Sequence, residues 1–125
     1  MFNYSRKVIG FDTFTGYVGI NKKDGENKFI REGNLATTSE YEKELENILT
    51  YREKLSPVDN VNKHQLLKGD ASINLRRYLD ANQHTVISLV HMDMNLYEPT
   101  KKCLQMLAPH LTKGSLVILD EINLD

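Results

Sequence analysis

Two rhythms of hydrophobic and polar positions alternate along this chain. Val86-Ile87-Ser88-Leu89-Val90-His91-Met92 and Leu116-Val117-Ile118-Leu119 are nearly continuous apolar runs, the pattern of strands covered on both faces. Residues 6–12 and 64–68 form two further, weaker strand-like runs. Between them apolar residues recur every three or four positions. Ser39 with Glu42 three residues on has the form of a capping box, and Tyr41, Leu45, Ile48, Leu49, Arg52 and Leu55 follow at helical spacing until Ser56-Pro57 stops the pattern. Ser72 is placed to cap a second helix through about Ala81, with Ile73, Leu75, Tyr78 and Leu79 on its inner face. Pro99 suits the first turn of a third, whose apolar stripe is Cys103, Leu104, Met106, Leu107 and Leu111 and which Pro109 should end or kink.

Residues 13–38 break this rhythm. They hold Gly16, Gly19, Gly25 and Gly33 among scattered charges without a sustained period, and predict a long loop, a candidate lid. Lys113-Gly114 predicts a turn into the last strand. The order strand, loop, helix, strand, helix, strand, helix, strand calls for one α/β domain over 1–125, with a parallel sheet, right-handed crossovers and flanking helices. Ligands of open α/β sheets bind outside the carboxyl ends of the strands. Asp93 and the pair Asp120-Glu121, which follow the two strongest strands, should therefore converge at one edge, where a hard divalent cation would sit.

Composition narrows the partners. With 16 basic and 17 acidic residues intermixed and a net charge of −1, the 125-residue chain shows no electrostatic footprint for nucleic acid or an anionic membrane. No run reaches the length of a membrane span or secretory signal, and the single cysteine allows no internal disulfide, so a cytoplasmic protein is expected. Cys103 reads as a buried, inert thiol. His91, on an apolar strand, reads as a hydrogen-bonded core imidazole, and His64, His84 and His110 as surface or boundary residues.

Four blocks in register carry a resemblance: Gly10-Phe11-Asp12-Thr13-Phe14-Thr15-Gly16, Lys68-Gly69-Asp70, His91-Met92-Asp93-Met94-Asn95-Leu96-Tyr97-Glu98-Pro99-Thr100, and Lys113-Gly114 through Asp120-Glu121. Along nearly its whole length the chain resembles the macrocin O-methyltransferase type of S-adenosylmethionine-dependent enzymes. The resemblance implies a Rossmann-like class I methyltransferase fold and Mg²⁺-assisted methylation of a hydroxyl on a sugar or glycosylated metabolite. It begins at what would be that fold's second strand. The expectation is thus an incomplete class I methyltransferase core, lacking the first strand with its Gly-rich turn and the strands after the fifth.

By the same resemblance Asp12 would accept hydrogen bonds from the cofactor ribose, where the residue itself suggests a turn-capping Asp. Asp70, Ala71 and Ser72 would lie along the adenine, a place that a plain helix N-terminus also fits. Asp93 would be both a Mg²⁺ ligand and the acceptor of the substrate hydroxyl's proton, with Asp120 and Glu121 as the other metal ligands. Three positions depart from the family: Asn95 and Thr15 stand where it usually has acids, and Glu121 where it commonly has Asp. An alternative is a folded fragment that binds no cofactor. A phosphoacceptor receiver domain fits the size but lacks paired acids after an early strand and a suitably placed lysine. Without a first strand, either the second and fourth strands should pair directly in a contracted sheet, or a homo-oligomer should cover the exposed edges.

Overall fold

The computed structural model describes residues 5–24 and 30–120. Strands β1 (Val8–Asp12) and β2 (His64–Lys68) pair in parallel, Val8 opposite His64 and Asp12 opposite Lys68. Strands β3 (Ile87–Met92) and β4 (Leu111–Leu119) form a second parallel pair, Leu89 opposite Leu116 and Met92 opposite Leu119. Three helices connect them: α1 (Tyr41–Lys54), α2 (Ala71–Ala81) and α3 (Tyr97–Leu107). The expected α/β architecture with parallel strands and flanking helices is present.

The core lies between α2, α3 and the second strand pair. Leu75 and Leu79 of α2 meet Met92 of β3 and Cys103 and Leu107 of α3, with Phe11 of β1, Val90 of β3 and Leu119 of β4 packed around them. Phe11 also meets the Tyr78 ring edge-on at 6.3 Å between centroids. One cluster thus ties both strand pairs to one helix layer. Cys103 is 3% exposed, and burial pushes its thiol up to about 11, as expected of an inert core residue.

The contracted sheet does not form. The strands make two separate two-stranded sheets, and among the described residues no ladder joins β1 to β3. The helix layer bridges the two pairs instead: α2 packs over both β1 and β2 while its Leu75 and Leu79 reach Met92 of β3. Alternation along β1, where the Val8 N–H donates to Lys63 and the Asp12 carbonyl accepts from Gly69, turns the backbone groups of Ile9 and Phe11 toward the unpaired edge.

Several element ends differ from the sequence expectation, among them that of α3, which stops at Leu107 so that Leu111 opens the last strand and is not part of the helix stripe. The first helix starts at Tyr41 with Glu40 at its N-cap and no side-chain cap, so the Ser39–Glu42 box does not close. Its partly buried residues are Glu42, Leu45, Leu49, Thr50 and Glu53, while Tyr41, Ile48 and Leu55 are exposed and no residue of the helix is buried. Asp70, not Ser72, caps α2, accepting from the Ser72 and Ile73 N–H groups. The last strand begins at Leu111, five residues earlier than expected, because Lys113-Gly114 forms an irregularity inside it: Gly114 takes φ +93°, the Ser115 hydroxyl bridges Thr112 N–H and the Ile87 carbonyl, and the register against β3 shifts there.

His91 is not a core imidazole. Val90 and Met92 face the helices, so by strand alternation His91 faces the opposite side, with its side chain 55% exposed. Leu89, Leu116 and Ile118 are exposed as well. Among the described residues no helix is long and apolar enough to cross a membrane.

The asymmetry between the buried α2–α3 layer and the exposed α1 gives a stability prediction. Leu107→Ala should lower unfolding stability by about 2–5 kcal/mol, and Ile48→Ser should change it by no more than about 0.5 kcal/mol, as read from urea denaturation midpoints.

Candidate active site

Within each pair, parallel pairing puts the two strand ends at the same edge, and each carries an acid or leads directly to one: Asp12 ends β1, Gly69-Asp70 follows β2, Asp93 follows β3 and Asp120 follows β4. The Asp120 N–H donates to the Met92 carbonyl at 3.0 Å, so residues 93 and 120 are neighbours across the end of the second strand pair.

Asp12 closes a local turn. Its Oδ1 accepts the Phe14 N–H at 2.6 Å, and Phe14, buried, is held at φ +57°, a left-handed conformation that costs free energy for a bulky residue. The strained turn is fixed from above by Tyr41 of α1, 6.5 Å from the Phe14 ring, and by the Lys68 ammonium, 5.8 Å over its face. Asp12 thus fulfils the turn-capping reading through one oxygen; among the described residues no hydrogen bond engages Oδ2.

Asp70 is more fully committed. One oxygen accepts from Ser72 N–H at 2.8 Å, Ser72 hydroxyl at 2.6 Å and Ile73 N–H at 3.1 Å. These bonds, the Ser72 hydroxyl first, with the nearby Lys102 charge, hold its carboxyl below the usual range against the opposing effect of burial. Ala71 and Ser72 form the first turn of α2 behind it.

At the second strand pair, Asp93 and Asp120 are exposed, and the His91 Nε2 lies 4.0 Å from Asp120 Oδ1. Glu121, the third expected metal ligand, lies outside the described residues. Among the described residues no group of three or more His, Cys, Asp and Glu side chains is gathered as a metal site. The donor chemistry of Asp93 and Asp120 suits Mg²⁺, which binds through one or two carboxylates and keeps several waters.

The described part of the long loop does more than connect. The Tyr17 N–H donates to the Asn34 carbonyl at 3.0 Å and the Gly33 N–H returns to the Tyr17 carbonyl at 3.1 Å. This approach requires a glycine beside it: Gly16 has φ +81°, and a Cβ there would lie 2.2 Å from the Asn34 carbonyl oxygen. From this loop Tyr17 accepts a hydrogen bond from the Asn95 amide at 2.7 Å, Asp24 accepts from the Tyr97 N–H at 2.7 Å, and Lys23 pairs with Glu98 at 3.0 Å. Asp24 therefore does for α3 what its own N-cap residue, Leu96, cannot. Asn95, at φ +53°, keeps its Oδ1 buried and without a partner among the described residues. The loop's glycines flagged a lid; its anchoring to residues 95–98 had no sequence signal.

His64 was missed too. It is 6% exposed, with Nδ1 2.7 Å from Glu53 and Nε2 3.1 Å from Glu46. The spacing of Glu46 and Glu53, seven residues apart on one helix face, was the available clue.

No family profile matches the chain, and none of the curated proteins does. Solved structures do. The chain is similar to the crystal structure of CalS11, a calicheamicin methyltransferase, with 37% identity and a TM-score of 0.93 over 98% of this chain and 48% of that one. It is also similar to the apo structure of CalS11, described as a TDP-rhamnose 3'-O-methyltransferase of calicheamicin biosynthesis, with 33% identity and a TM-score of 0.77 over 98% of this chain and 44% of that one. The fold is that of part of a methyltransferase, and the chain spans about half the length of the structures it matches.

Two caps can be tested. Asp70→Ala should cost about 1 kcal/mol of stability at pH 7. Because the folded-state pKa of Asp70 is lowered, its contribution is present above the ordinary carboxyl range and is lost as pH falls through the folded value, so the urea midpoints of variant and parent should converge as the solution is acidified below that range. Asp24→Ala should raise the amide exchange rate at Tyr97 by about fivefold or more, with the α2 amides unchanged, in hydrogen-exchange NMR.

Proposed function

We propose that this chain forms part of an S-adenosylmethionine-dependent O-methyltransferase of the macrocin type, acting in the cytoplasm on a hydroxyl of a sugar or other natural-product scaffold. The likeness to CalS11 over nearly the entire chain carries the reading, and the acids at adjoining strand tips support it. In this reading Asp12 receives the ribose hydroxyls. Its turn already orients one oxygen through Phe14, and a carboxylate accepts from two hydroxyls at once. Ala71 and Ser72, in the first turn of α2, lie along the adenine, with Asp70 fixing that turn.

Asp93 takes the acceptor hydroxyl's proton as the oxygen attacks the methyl group. Being exposed at the strand end, it is open to a substrate. Asp93, Asp120 and Glu121 are the residues proposed to hold Mg²⁺, which when bound lowers the hydroxyl pKa and fixes the acceptor's orientation. The acceptor is proposed to be a sugar, free or attached to a larger metabolite. A homo-oligomer would cover Leu89, Leu116 and Ile118.

One observation favours a second reading, a folded chain that binds no cofactor: the ladder between β1 and β3 is absent, so the Asp12 and Asp93 tips belong to separate strand pairs. Calorimetric titration with S-adenosylmethionine separates the two. The enzymatic reading expects micromolar binding, weakened about tenfold or more by Asp12→Ala and unchanged by Asp93→Asn. No heat at millimolar cofactor establishes the second reading instead. Where binding is found, Asp93→Asn should lower methyl transfer to a nucleotide sugar by about a hundredfold, measured in the presence of Mg²⁺.

A further inference from the structure

The imidazole of His64, buried between two carboxylates, sits where α1 is otherwise weakly held. Alternation along the first strand pair puts Phe11 on the α2 side and Val8, Gly10, His64 and Leu66 on the opposite side, under α1. That side is poorly filled. A space of about 280 Å³ remains among Val8, Gly10, Leu49 and Leu66, with His64 and Glu53 on its wall, and no α1 residue is buried. Hydrophobic burial therefore does little to seat this helix.

Polar contacts take its place, at both ends of the helix. At the strand tips Tyr41 meets Phe14 and Glu42 pairs with Lys68 at 2.6 Å. At the strand starts the imidazole lies between Glu46 and Glu53, and the Lys63 N–H also donates to Glu53 at 2.6 Å. A neutral imidazole has one N–H and can satisfy one carboxylate only, leaving a ring lone pair facing the other. The protonated ring donates to both.

We propose that His64, Glu46 and Glu53 form a proton-dependent latch that docks α1 on the β1–β2 sheet and so braces the Phe14 turn at Asp12. The other charges around the imidazole do not compete for it. On α1, Arg52 lines the same space; at the entry to β2 the Lys63 ammonium is bound to the Ser56 hydroxyl; on the chain leading into β1, the Lys7 ammonium is bound to Gln65. Burial alone would lower the pKa of His64, but the hydrogen bonds and charges of Glu53 and Glu46 outweigh it and hold it above the ordinary value, while Glu53 is held below the usual carboxylate range, chiefly by its bond to His64. The sign follows: docking is complete below pH 6.5, the ordinary histidine value, and is lost as pH rises through the folded-state value.

Hydrogen-exchange NMR on the full chain between pH 5.5 and 9, with protection factors corrected for intrinsic exchange, tests this. Protection of the α1 amides relative to those of α2 should be constant at the acid end and then fall, by up to about tenfold per pH unit, with the same midpoint as the His64 ring resonances. His64→Gln should give low α1 protection at every pH, with the α2 and α3 amides unaffected. Glu46→Gln combined with Glu53→Gln leaves the imidazole in place and should remove the pH dependence while moving the His64 titration below 6.5. An α1 protection that stays flat while His64 titrates, or an unchanged pH profile in either variant, would overturn the latch.

Discussion

The packing of α2 and α3 on both strand pairs is the constraint on which the rest of this structure rests. Hydrogen bonds join β1 to β2 and β3 to β4 but do not cross between the pairs. What makes one molecule of them is a small apolar cluster: Leu75 and Leu79 face Met92, Cys103 and Leu107, and Phe11 reaches in from β1 to meet Tyr78. An isolated two-stranded parallel ladder has little stability of its own, so each pair depends on the helices that cover it. The acids that follow the strands, at residues 12, 70, 93 and 120, are therefore positioned relative to one another only as firmly as that cluster is packed.

The opposite layer works by different forces. Where α2 is seated by buried leucines, α1 is seated by an imidazole between two carboxylates, a lysine–glutamate pair and one aromatic contact. Apolar packing varies little with pH, and polar docking varies strongly. The first layer therefore keeps the fold, and the second gives the Asp12 turn an adjustable support. The loop over residues 95–98 is similarly polar, since Asp24, Tyr17 and Lys23 reach α3 through hydrogen bonds and a salt bridge. Both supports of the site are weaker than the core beneath it.

Much of this was legible from the residues. The run 86–92 and the stripe of Cys103 and Leu107 gave β3 and α3 because burial on a parallel sheet imposes those patterns directly, and the run 64–68 gave β2 to the residue. Local chemistry was less readable. Ser39 and Ser72 looked like caps, yet Glu40 and Asp70 took those places, since several side chains near a helix start can serve and tertiary packing chooses. Gly114 signalled a turn but made a bulge within β4, which takes a partner strand to recognise. His64 and His91 exchanged roles, the first buried by charged partners eighteen and eleven residues away, the second turned outward by strand parity. At the site, the strand-end rule pointed to Asp93 and Asp120, which follow β3 and β4 and whose backbones meet through the Asp120 N–H and the Met92 carbonyl, whereas Asp12 and Asp70 were singled out by the family resemblance. Of the three expected metal ligands, Asp93 and Asp120 follow the two strands of one pair, and Glu121 lies outside the described residues.

In the proposed enzyme the two strand pairs act on one cofactor across the helix layer that joins them. Mapping amide chemical shifts of the full chain during titration with S-adenosylmethionine tests that most directly. Residues 12–16, 69–73 and 93–95 should shift together and saturate at one common concentration. Shifts confined to one strand pair, or none at all with the α2–α3 core intact, would contradict it.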